Sequence, residues 1–259
     1  MTQGSPRKNV DLPVRALVGL LLIAVAAATL LSGGFAFWLL VTIAGLIMMH
    51  EWGGLHSATA QQKTLAQYAL TVPLAIMAPV AAGPGFLAFG LVLGAMFFIA
   101  IVTRNGMLGI GALYIGLPVL ALLTLRAAEQ GLLLAFWTMA LVWACDIGAY
   151  FAGRSLGGPK LMPAVSPNKT WAGLIGGVAG AGLFAAILTL WGLDWRLAAA
   201  TPLLAVLAQA GDLYESWLKR RAGVKDSGNL LPGHGGVLDR LDGLVPVAPV
   251  AALLVLAVR

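Results

Sequence analysis

A chain of 259 residues that is 60% hydrophobic and only 10% charged, with a mean hydropathy of +0.92, is excluded from the soluble and the disordered classes and reads as a polytopic membrane protein. Its net charge of +6 points to membrane topology and anionic ligands, and without any nucleic-acid-binding motif a nucleic-acid partner is excluded. Cys145 is the only cysteine, which excludes an intrachain disulfide.

Apolar runs long enough to cross a bilayer fall near 15–31, 35–50, 66–82, 84–102, 107–125, 131–152, 172–191, 197–218 and 241–258. They predict an all-α bundle of about nine transmembrane helices, with 15–259 forming one transmembrane domain and 1–14, which holds Pro6 and Pro13, a mobile polar tail. Arg7, Lys8 and Arg15 ahead of the first run resemble a signal peptide. Eight further spans make that run simply the first helix.

Of the sixteen Lys and Arg residues, a cytoplasmic N-terminus puts thirteen inside: Arg7, Lys8, Arg15, Lys63, Arg104, Arg154, Lys160, Lys169, Lys219, Arg220, Arg221, Lys225 and Arg240. Only Arg126, Arg196 and Arg259 fall outside. The bias predicts a multi-pass protein of the cell inner membrane with its N-terminus and charged loops in the cytoplasm.

The first four spans carry almost no charge and read as scaffold. His50, Glu51 and His56 follow the second and are expected to be surface polar groups rather than a metal site. Arg104 is a topology anchor or a ligand for a lipid phosphate. Pro118 predicts a kink in the fifth span.

Asp146 lies within the sixth span, one turn before Tyr150. An unpaired carboxylate there costs about 2.5–3.5 kcal/mol, so it faces the bundle interior, as a functional group or as a structural hydrogen bond. In the next loop, Ser166 and Pro167 read as an N-cap and first helical residue. A helix start beside Lys169 would also suit phosphate. The seventh span pairs Gly173 with Gly177 and Gly176 with Gly180, spacings that permit close helix packing, within the bundle or in a homodimer. The eighth carries Gln209, Asp212, Ser216 and Lys219 at helical spacing, with Glu215 beside them. That stripe is expected to line a polar cavity.

The most informative stretch is Ser216–Asp242. It gathers six cationic or imidazole side chains (Lys219, Arg220, Arg221, Lys225, His234, Arg240) and three carboxylates (Asp226, Asp239, Asp242) around Gly233, Gly235 and Gly236. A basic loop alone marks topology. Carboxylates among basic groups suit a divalent cation held partly by substrate phosphates.

At these spacings Ser216, Lys219, Arg220, Lys225, Asp226, Gly228, Pro232, His234, Gly235, Gly236, Asp239, Arg240 and Asp242 resemble the C-terminal motif of the phosphatidate cytidylyltransferases, also called CDP-diacylglycerol synthases. Ser166, Pro167, Asn168, Lys169, Thr170 and Trp171 are similar to a second element of that family, although Ala172 stands where some members have an acid. The resemblance implies a membrane enzyme joining CTP to phosphatidic acid with Mg²⁺. Asp146 loosely matches an aspartate that accompanies its catalytic centre.

The expected catalytic set is then Lys225, Asp226, Asp239 and Asp242, the three aspartates holding Mg²⁺ with room for a second cation. Expected substrate-binding residues are Ser166, Asn168, Lys169, Thr170, Lys219, Arg220, His234, Gly235, Gly236 and Arg240, with Asp146, Asp212, Glu215 and Ser216 in the polar cavity. A CTP-dependent lipid kinase is one alternative. An ion-coupled transporter using Asp146, Asp212 and Glu215 is another. A P-loop enzyme is excluded, since no Walker-type element is present.

Overall fold

The computed structural model describes residues 11–230 and 235–258; His234 and most of the expected tail therefore lie outside the described residues. Ten α-helices are described: α1 (Asp11–Ser32), α2 (Gly34–Leu55), α3 (Ala60–Ile76), α4 (Phe86–Thr103), α5 (Gly106–Arg126), α6 (Gly131–Leu156), α7 (Trp171–Leu188), α8 (Trp195–Arg221), α9 (Leu238–Leu241) and α10 (Leu244–Val258). Strands β1 (Lys160–Met162) and β2 (Ser166–Thr170) form an antiparallel hairpin between α6 and α7. Each expected span contains a helix. Six helices, α2 and α4 to α8 with the short 3₁₀ turn after α7, are long and apolar enough to cross a membrane.

Several boundaries differ from the sequence reading for local reasons. Residues 11–14, expected in the tail, already belong to α1. Helix α3 starts at Ala60 because Thr59 and Gln62 form a reciprocal capping box, and it ends well before the Gly-Pro-Gly stretch at 83–85. The expected helix start at Ser166 is a strand instead. The cap is Thr170, whose Oγ1 accepts from Gly173 N–H at 3.0 Å. Helix α5 runs unbroken through Pro118. The α1–α2 turn places Gly33 and Gly34 at φ of 63° and 49°, a region that favours glycine.

Helices α2 to α5 pack on one another, α6 to α8 form a second group, and α10 touches α5, α6 and α8 between the groups. The α7 glycines resolve one alternative. A Cβ on Gly173, Gly177 or Gly180 would lie 3.2, 2.9 or 3.0 Å from the α6 carbonyl oxygens of Ala149, Cys145 or Ala144. The stripe is therefore used within the chain, where absent side chains let two backbones approach. Large apolar residues remain exposed around the bundle, among them Leu20, Phe97, Phe98, Ile101, Leu183 and Leu203, as a multi-pass membrane protein requires.

Candidate active site

The Ser216–Asp242 stretch leaves the end of α8 and returns through α9 to the foot of α10, where both helix groups meet. Asp239 organises it. Its Oδ1 accepts from Lys219 Nζ at 2.6 Å, and its Oδ2 accepts from Ser227 N–H (2.9 Å), Ser227 Oγ–H (2.9 Å) and Gly236 N–H (2.8 Å). Burial pushes the Asp239 carboxyl up, but Lys219 and the Gly236 and Ser227 N–H groups outweigh it and hold the group below its ordinary value.

A second carboxylate reaches the same loop from α2. Glu51, 5% exposed, accepts from Val237 N–H on Oε1 at 2.9 Å and from Leu238 N–H on Oε2 at 2.7 Å. Ser227 Oγ lies 3.4 Å from Oε2. The loop glycines make room for these carboxylates. A Cβ on Gly228 or Gly236 would stand 2.7 Å from Glu51 Oε1, and one on Gly235, at φ 81°, would stand 2.8 Å from Asp239 Oδ2.

On the other side, Lys169 at the end of the hairpin forms an ion pair with Asp212 of α8. Ser216 Oγ–H donates to Asp212 Oδ1 at 3.3 Å. Asp146 of α6, expected to face the bundle interior, is exposed. Asp242 accepts from Gly243 N–H at 2.7 Å. Burial and then the Asp212 carboxylate push Asp242 up to about 7. Glu215 is fully buried, with Lys219 Nζ 3.4 Å from its Oε1; among the described residues nothing hydrogen-bonds either of its oxygens or Tyr114 Oη.

Of the four residues expected to line a polar cavity, Asp212, Glu215 and Ser216 sit together on α8, and protein groups occupy much of the stripe. Gln209 Nε2 turns to Cys145 Sγ and to the Leu174 carbonyl, each at 3.4 Å. Lys219, expected on substrate, is drawn into Asp239 and Glu215. Thr170 is spent as a helix cap. Lys225, Asp226, Arg220, Asn168 and Arg240 are exposed, and Ser166 is half-buried. Asp226 and Asp239 flank Gly235: the Cβ position that meets Asp239 lies 3.5 Å from Asp226 Cγ. Among the described residues no three His, Cys, Asp or Glu side chains close into a metal cage of their own.

Cationic side chains and carboxylates thus meet at one end of the helical bundle, an arrangement able to receive a polyanionic ligand. The model of the Cytidylyltransferase family matches residues 13–258, which takes in every element of this site. The chain belongs to that family. A Brucella suis biovar 1 protein named phosphatidate cytidylyltransferase is 44% identical over 230 residues, 83% of each chain. A Pseudomonas aeruginosa protein of the same name is 39% identical over 266 aligned residues, covering 94% of this chain and 96% of that one. A third from Bacillus subtilis is 42% identical over 156 residues, 56% of this chain and 55% of that one.

For this cytidylyltransferase-family chain, sequence reasoning set aside Glu51, which the structure buries on the loop. His50 is exposed as expected. His56 stacks on Trp52 with ring centroids 4.3 Å apart. The available signal was a carboxylate at the end of an apolar span, with no neighbouring opposite charge to make it an ordinary surface pair.

Proposed function

We propose that the protein transfers the cytidylyl group of CTP to phosphatidic acid, giving CDP-diacylglycerol and pyrophosphate. The observation that carries this reading is the meeting of Lys169–Asp212, Asp242 and Lys219–Asp239 where the two helix groups join, within a family whose relatives bear that name. The basic residues crowd this end of the bundle, so the positive-inside rule assigns it, with the N-terminus, to the cytoplasm of a bacterial inner membrane. CTP would approach from that side.

The donor set fits Mg²⁺. Hard oxygens are present, and the upward push on Asp242 from Asp212 is the like-charge strain that a bound cation relieves. The lack of a closed cage also suits Mg²⁺, which is commonly held by one or two carboxylates plus substrate phosphates. Asp212 with Asp242 would hold one ion, and exposed Asp226 would be free to meet a second; Asp239, its oxygens taken by Lys219, Ser227 and Gly236, would orient the loop. When bound, the ion neutralises the triphosphate and favours attack at its α-phosphorus.

Arg220, Lys225 and Arg240 would neutralise the triphosphate, and Lys169, paired with Asp212, would meet the incoming phosphatidate phosphate. That phosphate oxygen bonds to the α-phosphorus in line while the bond to the β-phosphate bridging oxygen breaks, and pyrophosphate leaves with that electron pair. A phosphate monoester is already anionic, so no strong base is required. Catalysis rests on positioning and charge stabilisation. Lys219 contributes by fixing Asp239.

Purified protein incubated with labelled CTP, phosphatidate and Mg²⁺ tests the reading. Labelled CDP-lipid supports it. A phosphorylated lipid product would make the protein a CTP-dependent kinase, and absence of either product would favour a transporter.

A further inference from the structure

Glu51 is the one buried carboxylate of α2, and nothing in cytidylyl transfer as described above uses it. It lies 186 and 187 residues from the two N–H groups it accepts from. Those groups, on Val237 and Leu238, immediately precede Asp239. Its other neighbour, Ser227 Oγ at 3.4 Å, immediately follows Asp226. One carboxylate from the first helix group therefore contacts both limbs of the loop, next to each of its two aspartates.

The contacts are specific to a carboxylate. Two consecutive N–H groups need two acceptor oxygens, and each such charge-assisted hydrogen bond is shorter and stronger than a neutral one. Gly228 and Gly236 both leave space at 2.7 Å from Oε1 where any side chain would intrude. Glu51 is not itself placed to hold a cation, because both oxygens already receive backbone donors. Its effect must pass through the loop.

We propose that Glu51 is a positioning residue for cytidylyl transfer: by holding Ser227, Val237 and Leu238 it sets Asp226 and Asp239 at the separation that receives the nucleotide. This rests on the reading that the loop binds the CTP triphosphate. Outer partners that orient the groups touching a ligand typically change affinity or activity by about 10–100-fold when removed.

The test is Glu51→Gln in the full-length protein. The amide keeps one acceptor but turns an NH₂ donor towards a backbone N–H. The expected result is a 10–100-fold fall in kcat/KM for CTP, on the order given for such partners, with KM for phosphatidate unchanged. In the absence of substrates, tryptic cleavage after Lys225 should also accelerate. Unchanged kinetics with unchanged cleavage would overturn the proposal, as would equal rises in KM for both substrates.

Should Glu51→Gln aggregate on size exclusion, Gly228→Ala decides instead. Its added methyl meets only the Glu51 side chain, 2.7 Å from Oε1, and displaces that carboxylate without altering charge; it should give the same kinetic split and faster cleavage, and parent-like behaviour overturns the proposal. If the parent protein makes no CDP-lipid, the assigned reaction fails, whereas the cleavage rates still decide whether Glu51 holds the loop.

Discussion

Lys219 Nζ stands 2.6 Å from Asp239 Oδ1 and 3.4 Å from Glu215 Oε1, so one ammonium joins the last turn of α8 to α9 and serves two carboxylates. The Asp239 side chain is 4% exposed and that of Lys219 12%. A pair so enclosed is a clamp, and its value lies in where it puts the loop as much as in charge.

Asp239→Asn is therefore expected to cost both stability and turnover. Lys219 keeps Glu215 as a partner, so no isolated charge is left and the penalty stays below that of breaking a lone buried pair. Losing the charge-assisted bonds should lower stability by about 1–3 kcal/mol. Turnover should fall by about 100-fold. Thermal unfolding in detergent and labelled CDP-lipid formation measure the two effects; full turnover would remove Asp239 from the site.

Lys169→Met probes the opposite balance. Its ion pair with Asp212 is partly exposed, at 22% and 33%, and such pairs contribute about 1 kcal/mol or less. The melting temperature should hardly move. Turnover should drop by about 100-fold, because an uncompensated Asp212 would repel the incoming phosphate. A variant that is markedly unstable but catalytically normal would assign Lys169 to the fold alone.

The helices were legible because each is a long apolar run. The Ser216–Asp242 stretch stood out by its charges, but the Lys219–Asp239 clamp did not, since Lys219 was expected on substrate and Asp239 on a cation. Ser166–Thr170 was not legible. Ser-Pro offers the local chemistry of a helix start, and the choice of strand is made by pairing with Lys160–Met162. Glu51 was missed for a related reason: its partners are far away in the chain, and their backbone N–H groups leave no trace in residue type. Gly235 and Gly236 were expected on substrate, and the groups found against them are the Asp239 and Glu51 carboxylates.

The glycine stripe of α7 predicts a contrast between two substitutions. Gly177→Leu would drive atoms into the Cys145 carbonyl, 2.9 Å from the first added carbon, at a cost of about 1–3 kcal/mol or more. Gly94→Leu on α4 meets nothing within 4 Å and should be tolerated. Monodispersity and melting temperature in detergent separate them, and equal behaviour would contradict the α6–α7 packing.

Arg126 gives a control far from the site. Its Nε and Nη2 donate to the Leu30 and Leu31 carbonyls at 2.9 and 3.2 Å, tying α5 to the end of α1. Arg126→Ala should destabilise by about 1–3 kcal/mol while activity per folded molecule stays at the parent level. A selective loss of activity would instead couple that end to the chemistry.

Asp242 makes the sharpest stability prediction. Burial and Asp212 raise it from an ordinary 3.8 to about 7, so the folded chain holds this proton more tightly than the unfolded chain does. Any stability from this group is fully present below the unfolded value and is lost as pH rises from about 4 through about 7. Asp242→Asn keeps an oxygen for Gly243 N–H, removes the opposed charge, and should be more stable than the parent at pH 8 by about 1–3 kcal/mol, allowing for partial solvent screening. The gain should vanish near pH 4, where the parent carboxyl is protonated in the folded chain as well. The same variant should make no CDP-lipid, because a carboxylate held against its neighbours is what the ligand site requires. Unfolding measured at pH 4 and pH 8 without added metal checks this, and equal stability of variant and parent at pH 8 would show that Asp242 carries no such strain.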